Sequence, residues 1–310
     1  MAFLRGFGSY LPSRVVTNDE LAAACEVEPD WILSVSGIRE RRYAAEDETV
    51  ATLGTRAAQD CFARCGITAA DLGMIVVSSG SPDRYCPGPA AEIAKALGLT
   101  TTPALDVPVA SAGSLIALAM AAQFAEAVGP VLVIGSEIMS RRVERTPEGK
   151  NTAILFGDGA GAALVDPAQG FARILGHALH TDGSAAEILK MEDRHLHMDG
   201  GSVILQASRK IPNAVKALLE RFSVTPEQVG TAVMHQANLN LIQRVAKVAG
   251  IPMERFPVNI DKYGNTSSAS MLIAAAEWHA SRGASPLSGH LLFITFGAGL
   301  NWGALLAEPV

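Results

Sequence analysis

Ile67-Thr-Ala-Ala-Asp-Leu-Gly-Met-Ile-Val-Val77 and Val224-Thr-Pro-Glu-Gln-Val-Gly-Thr-Ala-Val-Met234 follow the same pattern. Each opens on a threonine suited to capping and an acidic first turn, then runs into a buried apolar strand. A second pair is Phe156-Gly-Asp-Gly-Ala-Gly-Ala-Ala-Leu164 and Phe296-Gly-Ala-Gly-Leu-Asn-Trp-Gly-Ala304. Between the members of each pair lie a strand, a tight turn and an Ala-rich helix. A unit of about half the chain therefore recurs. Asp166-Pro-Ala-Gln-Gly170, rich in turn formers, marks the joint, and the two halves are set at residues 1–168 and 169–310.

Working outward, strand and helix signals alternate, as in α/β folds. Met74–Ser78, Val131–Gly135 and Leu291–Thr295 read as buried strands. Val50–Cys65, Ala90–Leu97, Ser114–Val128, Lys210–Phe222 and Ser268–Ser281 read as helices. Arg141–Asn151 and Lys190–Gly201 are polar and irregular, and read as loops.

The chain has 310 residues, 49% of them hydrophobic but only 5% aromatic, so its core relies on small side chains. Its net charge of -6 comes with no basic tract, which argues against nucleic-acid binding. No apolar run has the length of a membrane span or signal peptide. The four cysteines, Cys25, Cys61, Cys65 and Cys86, have no ligand pair at zinc spacing. They suit buried thiols in a reducing cytosol, so a cytoplasmic protein without a bound metal is expected.

Three segments carry candidate chemistry. In Asp106-Val-Pro-Val-Ala-Ser111-Ala-Gly-Ser-Leu115 a strand runs through small residues into an apolar helix. Ser111 is placed at the helix N-terminus, where free N–H groups favour a developing anion. That suits a nucleophile or oxyanion hole, and equally a plain capping serine. In Val233-Met-His235-Gln-Ala-Asn238 a buried strand ends in a histidine. In Lys262-Tyr-Gly-Asn265-Thr-Ser-Ser268 the Gly-Asn pair reads as a turn. Phe156-Gly-Asp-Gly159 lacks the lysine and the spacing of a phosphate loop.

Taken in order, these segments resemble the ketosynthase III family, the 3-oxoacyl-[acyl-carrier-protein] synthases III of the thiolase superfamily. The resemblance includes Gly37-Ile-Arg-Glu-Arg41, Glu48-Thr-Val50, Phe156-Gly-Asp-Gly-Ala-Gly161, His180-Thr-Asp-Gly183, His235-Gln-Ala-Asn238, Gly264-Asn-Thr-Ser-Ser268 and Phe296-Gly-Ala-Gly299 with Trp302-Gly303. It covers nearly the whole chain. It implies an α/β thiolase fold of five αβαβα layers with two similar halves, a homodimer, and an acyltransferase or ketosynthase working on thioesters. His235 and Asn265 match the family's catalytic His and Asn, which bind the carbonyl of a malonyl-type thioester. Ser111 falls where the family has its nucleophilic Cys. The N–H groups of Ser111 and Ala298 match the oxyanion hole.

Further positions follow from the same resemblance. Trp31 matches the residue that stacks on the adenine of coenzyme A. Lys150 stands in for its Arg companion, and Val35 for another cofactor-binding Arg. Cys86 takes the place of a bulky Phe at the acyl pocket. Leu205 and Asn240 replace the basic residues that meet an acyl carrier protein, so carrier-protein docking is left open, and the substrates are acyl-CoA or acyl-carrier thioesters together with a malonyl-type thioester. Coenzyme A thioesters enter as substrates, with no permanently bound cofactor. Three readings of Ser111 stand: a natural serine nucleophile, a Cys-to-Ser variant of a cysteine enzyme, and a non-catalytic acyl-binding partner subunit.

Overall fold

The computed structural model describes residues 1–310. In the first half the strands are β1 (Phe3–Tyr10), β2 (Arg14–Thr17), β3 (Glu40–Tyr43), β4 (Met74–Ser78), β5 (Ala104–Val107), β6 (Val131–Ile138) and β7 (Asp158–Asp166). The helices there are α1 (Asn18–Cys25), α2 (Pro29–Ser36), α3 (Val50–Cys65), α4 (Pro89–Ala96), α5 (Gly113–Val128) and α6 (Lys150–Ala153). The second half supplies β8 (Ala172–Thr181), β9 (Leu189–Glu192), β10 (His195–Met198), β11 (Val229–Met234), β12 (His290–Gly297) and β13 (Asn301–Pro309). Its helices are α7 (Gly200–Arg221), α8 (Leu239–Ala249), α9 (Ile260–Tyr263) and α10 (Ser270–Arg282).

The main sheet runs β11-β12-β13-β8-β1-β7-β6-β4-β5 and mixes parallel and antiparallel pairs. It has two parts, which meet only where Phe3 and Leu4 of β1 pair with Arg173 and Ala172 of β8. Helices α5 and α10 lie between the two parts, α3 and α4 cover one outside, and α7 and α8 cover the other. This is the αβαβα arrangement of the thiolase fold.

Side-chain alternation explains the layering. Val131 and Val133 of β6 face the central core with Leu115, Leu118 and Leu272, whereas Leu132 and Ile134 face the outer core beneath α3. Phe293 points to the centre, and Leu292 and Ile294 point to the core under α7. A strand buried on both faces must be apolar throughout, which is why these segments read as unbroken hydrophobic runs. Small residues then let the layers approach. A Cβ on Gly161 would lie 2.5 Å from Leu272 Cβ, and one on Gly135 would lie 2.3 Å from the Ser268 carbonyl oxygen. Both glycines hold α10 and the turn before it against the sheet.

Three sequence expectations change in detail. The Thr68 and Thr225 capping boxes both form, with Asp71 and Gln228, but each opens only a three-residue turn, which leads into β4 after Leu72 and Gly73 and directly into β11. Lys190–Gly201 is not a loop: it holds the β9–β10 hairpin, and α7 starts at Gly200, ten residues before the expected Lys210. Asp199 caps that helix by accepting from the Ser202 N–H at 3.1 Å, and the following Gly-Gly pair hid the start. No helix is long and apolar enough to cross a membrane.

Candidate active site

Ser111, His235 and Asn265 come from segments far apart in the chain, and all three line one cavity of about 670 Å3. The volume lies within the range usual for ligand sites. Each of the three side chains reaches it differently.

Ser111 sits between β5 and α5, two residues before the helix begins, in a left-handed backbone conformation with φ 60°. A non-glycine residue there is strained and persists only when its surroundings hold it. Gly297, at the end of β12, permits this turn: a Cβ on it would lie 2.3 Å from the Ala110 carbonyl oxygen and 2.9 Å from Ser111 Cβ. Ser111 is buried, with its N–H donating to Ser267 Oγ at 3.0 Å and its own Oγ 3.3 Å from that hydroxyl. Ser267 is itself left-handed, with φ 49°. The neighbouring Ala298 also lines the cavity, and its N–H has no protein acceptor.

His235 ends β11, its N–H bonded to the Ile294 carbonyl at 2.8 Å. The ring packs edge-on against Phe296, and Nδ1 lies 2.5 Å from Ser270 Oγ. There is no hydrogen bond between His235 and Ser111. In the rest of the His-Gln-Ala-Asn motif, Ala237 and Asn238 line the cavity, and Gln236 and Asn238 brace the surrounding backbone. Gln236 braces the Met234 and Pro257 carbonyls, and Asn238 caps α8 while bonding the Val35 carbonyl.

Burial pushes the His235 imidazole down to about 3, so the ring is neutral at working pH. In the unfolded chain its pKa is ~6.5, and below that pH the unfolded state binds a proton that the folded state refuses. This contribution to stability is therefore intact above pH 6.5 and is lost progressively toward pH 3. His279, pushed down to about 4 mainly by burial, adds to the same loss. A His235→Gln protein should lose stability less steeply than the unmodified chain between pH 7 and 4, as followed by urea-unfolding midpoints. Parallel profiles would contradict the buried neutral ring.

Asn265 is clamped by its backbone: its N–H donates to Leu155 O at 2.8 Å and its carbonyl accepts from Gly157 N–H at 3.1 Å. Its Oδ1 accepts from Ser267 N–H at 2.9 Å, which turns Nδ2 outward as a free donor. Behind this loop lies Glu137, fully buried and held by Ser79, Gly80, Ser81 and Ser268. It joins the loop after β4 to the turn that carries Asn265.

Of the other expected residues, Trp31 lines the cavity and is exposed at its mouth. Lys150 does not line it, whereas the adjacent Asn151 does. Cys86 is exposed and outside the cavity of its own chain, and its neighbour Tyr85 lines it instead. Asn240 bonds the Ser34 and Val35 carbonyls at the end of α2, and Leu205 is half exposed. Sequence reasoning missed Ser267, Ser270 and Glu137, along with the methionines Met139, Met191 and Met198 that line the cavity. The serines carried a signal, since they lie within five residues of Asn265. The methionines carried none.

The chain's likeness to known proteins runs its full length. The family described as 3-Oxoacyl-[acyl-carrier-protein (ACP)] synthase III matches residues 105–183, and its C-terminal counterpart matches residues 219–308. The beta-ketoacyl-[acyl-carrier-protein] synthase III of Rhodobacter capsulatus is 38% identical over 98% of both chains. The chain belongs to the ketosynthase III family. The synthase III of Oleidesulfovibrio alaskensis is 36% identical over 98% of both chains. Among solved structures, the 3-oxoacyl-[acyl-carrier-protein] synthase III of Aquifex aeolicus superposes with a TM-score of 0.94 at 33% identity. It covers 99% of this chain and 100% of its own. A priming β-ketosynthase from the R1128 polyketide pathway gives 0.91 at 32%, covering 100% and 96%. As a ketosynthase III the protein is an acyltransferase of fatty-acid or polyketide biosynthesis, with the thiolase fold.

Proposed function

We propose that this ketosynthase III takes an acyl group from coenzyme A onto Ser111. It then transfers that group to the enolate of a malonyl-type thioester, or to another nucleophile. The supporting observation is the convergence of Ser111, His235 and Asn265 on one cavity, with Ser111 held in a strained turn at the foot of a buried helix. The Ala298 N–H, and that of Ser111 once Ser267 yields it, stabilise the oxyanion of acyl transfer. His235 and Asn265 hold the extender's thioester oxygen. Intact-protein mass spectrometry after exposure to a panel of acyl-CoA thioesters tests the reading. A mass increase that maps to Ser111 is expected, and none across the panel would count against it.

Coenzyme A is assigned to the mouth beside Trp31. Stacking on a base contributes roughly 1–3 kcal/mol, so Trp31→Ala should raise the KM for acyl-CoA about 5- to 100-fold. An unchanged KM moves the adenine elsewhere. Lys150 is assigned as the supporting cation, a point charge that cannot stack as a guanidinium does. Cys86, exposed here, is assigned to the acyl pocket of a partner subunit.

The free edge of β5 supports assigning a homodimer. This strand pairs only with β4, leaving an edge of free backbone groups beside Leu105, which is 40% exposed. Pairing with the β5 of a second copy covers that edge. Sedimentation at micromolar concentration should give twice the 32.4 kDa chain mass, and a stable monomer would refute the pairing. An acyl carrier protein as extender carrier is the open alternative to coenzyme A.

A further inference from the structure

A neutral imidazole has one donor and one acceptor nitrogen, and which is which decides what His235 can do. The protein contacts the ring nitrogens at one point, where Nδ1 lies 2.5 Å from Ser270 Oγ. Ser270 is the first residue of α10 and is buried. Its oxygen already accepts from the Gln236 N–H at 3.1 Å. Its hydroxyl makes no hydrogen bond to a carbonyl or carboxylate, so Nδ1 is the one acceptor it engages. A proton on Nδ1 would leave the Ser270 hydroxyl a buried donor without a partner, which is unfavourable. With Ser270 donating to Nδ1, both groups are satisfied and the ring proton sits on Nε2.

We propose that Ser270 is a positioning residue that holds His235 as the Nε2–H tautomer, committing the imidazole to donate to a thioester oxygen and withholding it as a base from Ser111. The inference rests on the reading of His235 as a thioester-binding group. It separates the two half-reactions. In decarboxylation, the carbon–carbon bond to the malonyl carboxylate breaks and carbon dioxide leaves. The bond's electron pair passes into a thioester enolate, whose oxygen is held by His235 Nε2–H and Asn265 Nδ2–H. The enolate carbon then attacks the acyl carbon carried by Ser111, forming the new carbon–carbon bond as the ester bond to Ser111 Oγ breaks and the released alkoxide takes a proton from water. Where Ser111 is unacylated, the enolate carbon instead takes a proton from water to give the acetyl-type thioester. No step of that sequence asks His235 to accept a proton. The chain therefore decarboxylates malonyl thioesters whether or not Ser111 carries an acyl group. Acylation of Ser111, by contrast, must release the hydroxyl proton, and the hydroxyl's one hydrogen-bond partner is Ser267 Oγ at 3.3 Å.

The test has two arms on the full chain. In the first, protein labelled with 15N-histidine is examined by long-range proton–nitrogen NMR, with the His235 signal assigned by its loss in His235→Gln. The unmodified protein should show the Nε2–H pattern. Ser270→Ala should shift it toward a mixture of tautomers, and Ser270→Thr should restore it. An Nδ1–H pattern in the unmodified protein overturns the proposal, whether or not any variant folds. In the second arm, acetyl-CoA formed from malonyl-CoA is measured alongside acylation of Ser111. Ser270→Ala should lower decarboxylation at least tenfold and acylation much less. Equal losses, or an unchanged decarboxylation rate, overturn it. An Nε2–H ring in a protein that does not decarboxylate malonyl-CoA leaves the role of Ser270 standing and removes the reading of His235 as an extender-binding group.

Discussion

Replacing Asn265 by alanine is expected to slow decarboxylation of a malonyl thioester by about 100- to 1,000-fold, the usual cost of one oxyanion donor. The geometry supports a local effect. The backbone of Asn265 is held on both sides by Leu155 and Gly157, so removing the side chain leaves the turn in place. What disappears is Nδ2, which Oδ1 orients by accepting from the Ser267 N–H. Its hydrogen bond strengthens as negative charge develops on the enolate oxygen, so the loss falls on the transition state more than on binding. Acylation of Ser111 uses backbone donors and should be spared. Decarboxylation and acylation, measured separately by mass spectrometry, check this. Equal losses in both would contradict the division of labour.

Ser111→Ala should abolish the acyl-enzyme altogether, and Ser111→Cys should raise condensation with malonyl thioesters relative to hydrolysis. A thiol has a reference pKa near ~8.5, and a helix N-terminus lowers it toward working pH. A serine hydroxyl cannot ionise to that degree and needs a base in contact. Among the sequence motifs His235 is the one base on offer. In the structure, however, the Ser111 hydroxyl lies against Ser267, and His235 is bonded to Ser270. Acylation of the serine should thus be slow. Its oxygen ester, once formed, is long-lived, because it is less electrophilic than a thioester and has a poorer leaving group. Condensation suffers most from this, whereas transfer to water, an amine or a hydroxyl is better tolerated. Product ratios and adduct lifetimes by mass spectrometry measure both effects. Lower condensation in Ser111→Cys would mark serine as the adapted nucleophile.

The motifs differ in how much of their role can be read locally. Gly-Ile-Arg-Glu-Arg stands out in the sequence only as part of the family resemblance, and its Arg41 is wholly buried. It donates to Asn18 Oδ1 and the Ile154 carbonyl, and so fixes the segment that leads to Phe156 and Asn265. Burial lowers its guanidinium to about 10. Asp158 of the Phe-Gly-Asp-Gly segment is likewise structural. It accepts from Ala44 N–H and from both the N–H and the hydroxyl of Ser140, while burial pushes its carboxyl up to about 6. Nothing in the local spacing of either motif distinguishes a buried brace from a reacting group, because the distinction lies in what packs around it.

By itself the sequence determined the alternation of strands and helices and the repeat of a half-chain unit, and its ordered motifs carried the resemblance that implied the thiolase fold and the family. Fully buried strands must be apolar along their whole length, helix starts need polar caps, and close-packed layers need glycine, so each leaves a local mark at short range. Only the tertiary structure decided which groups touch. Ser111 meets Ser267 across 156 residues, and His235 meets Ser270 across 35. Hydrogen-bond partners, the protonated nitrogen of a buried ring and the free edge of β5 are set by the meeting of distant segments, and hydrogen bonding acts over a few ångströms of space whatever the separation along the chain.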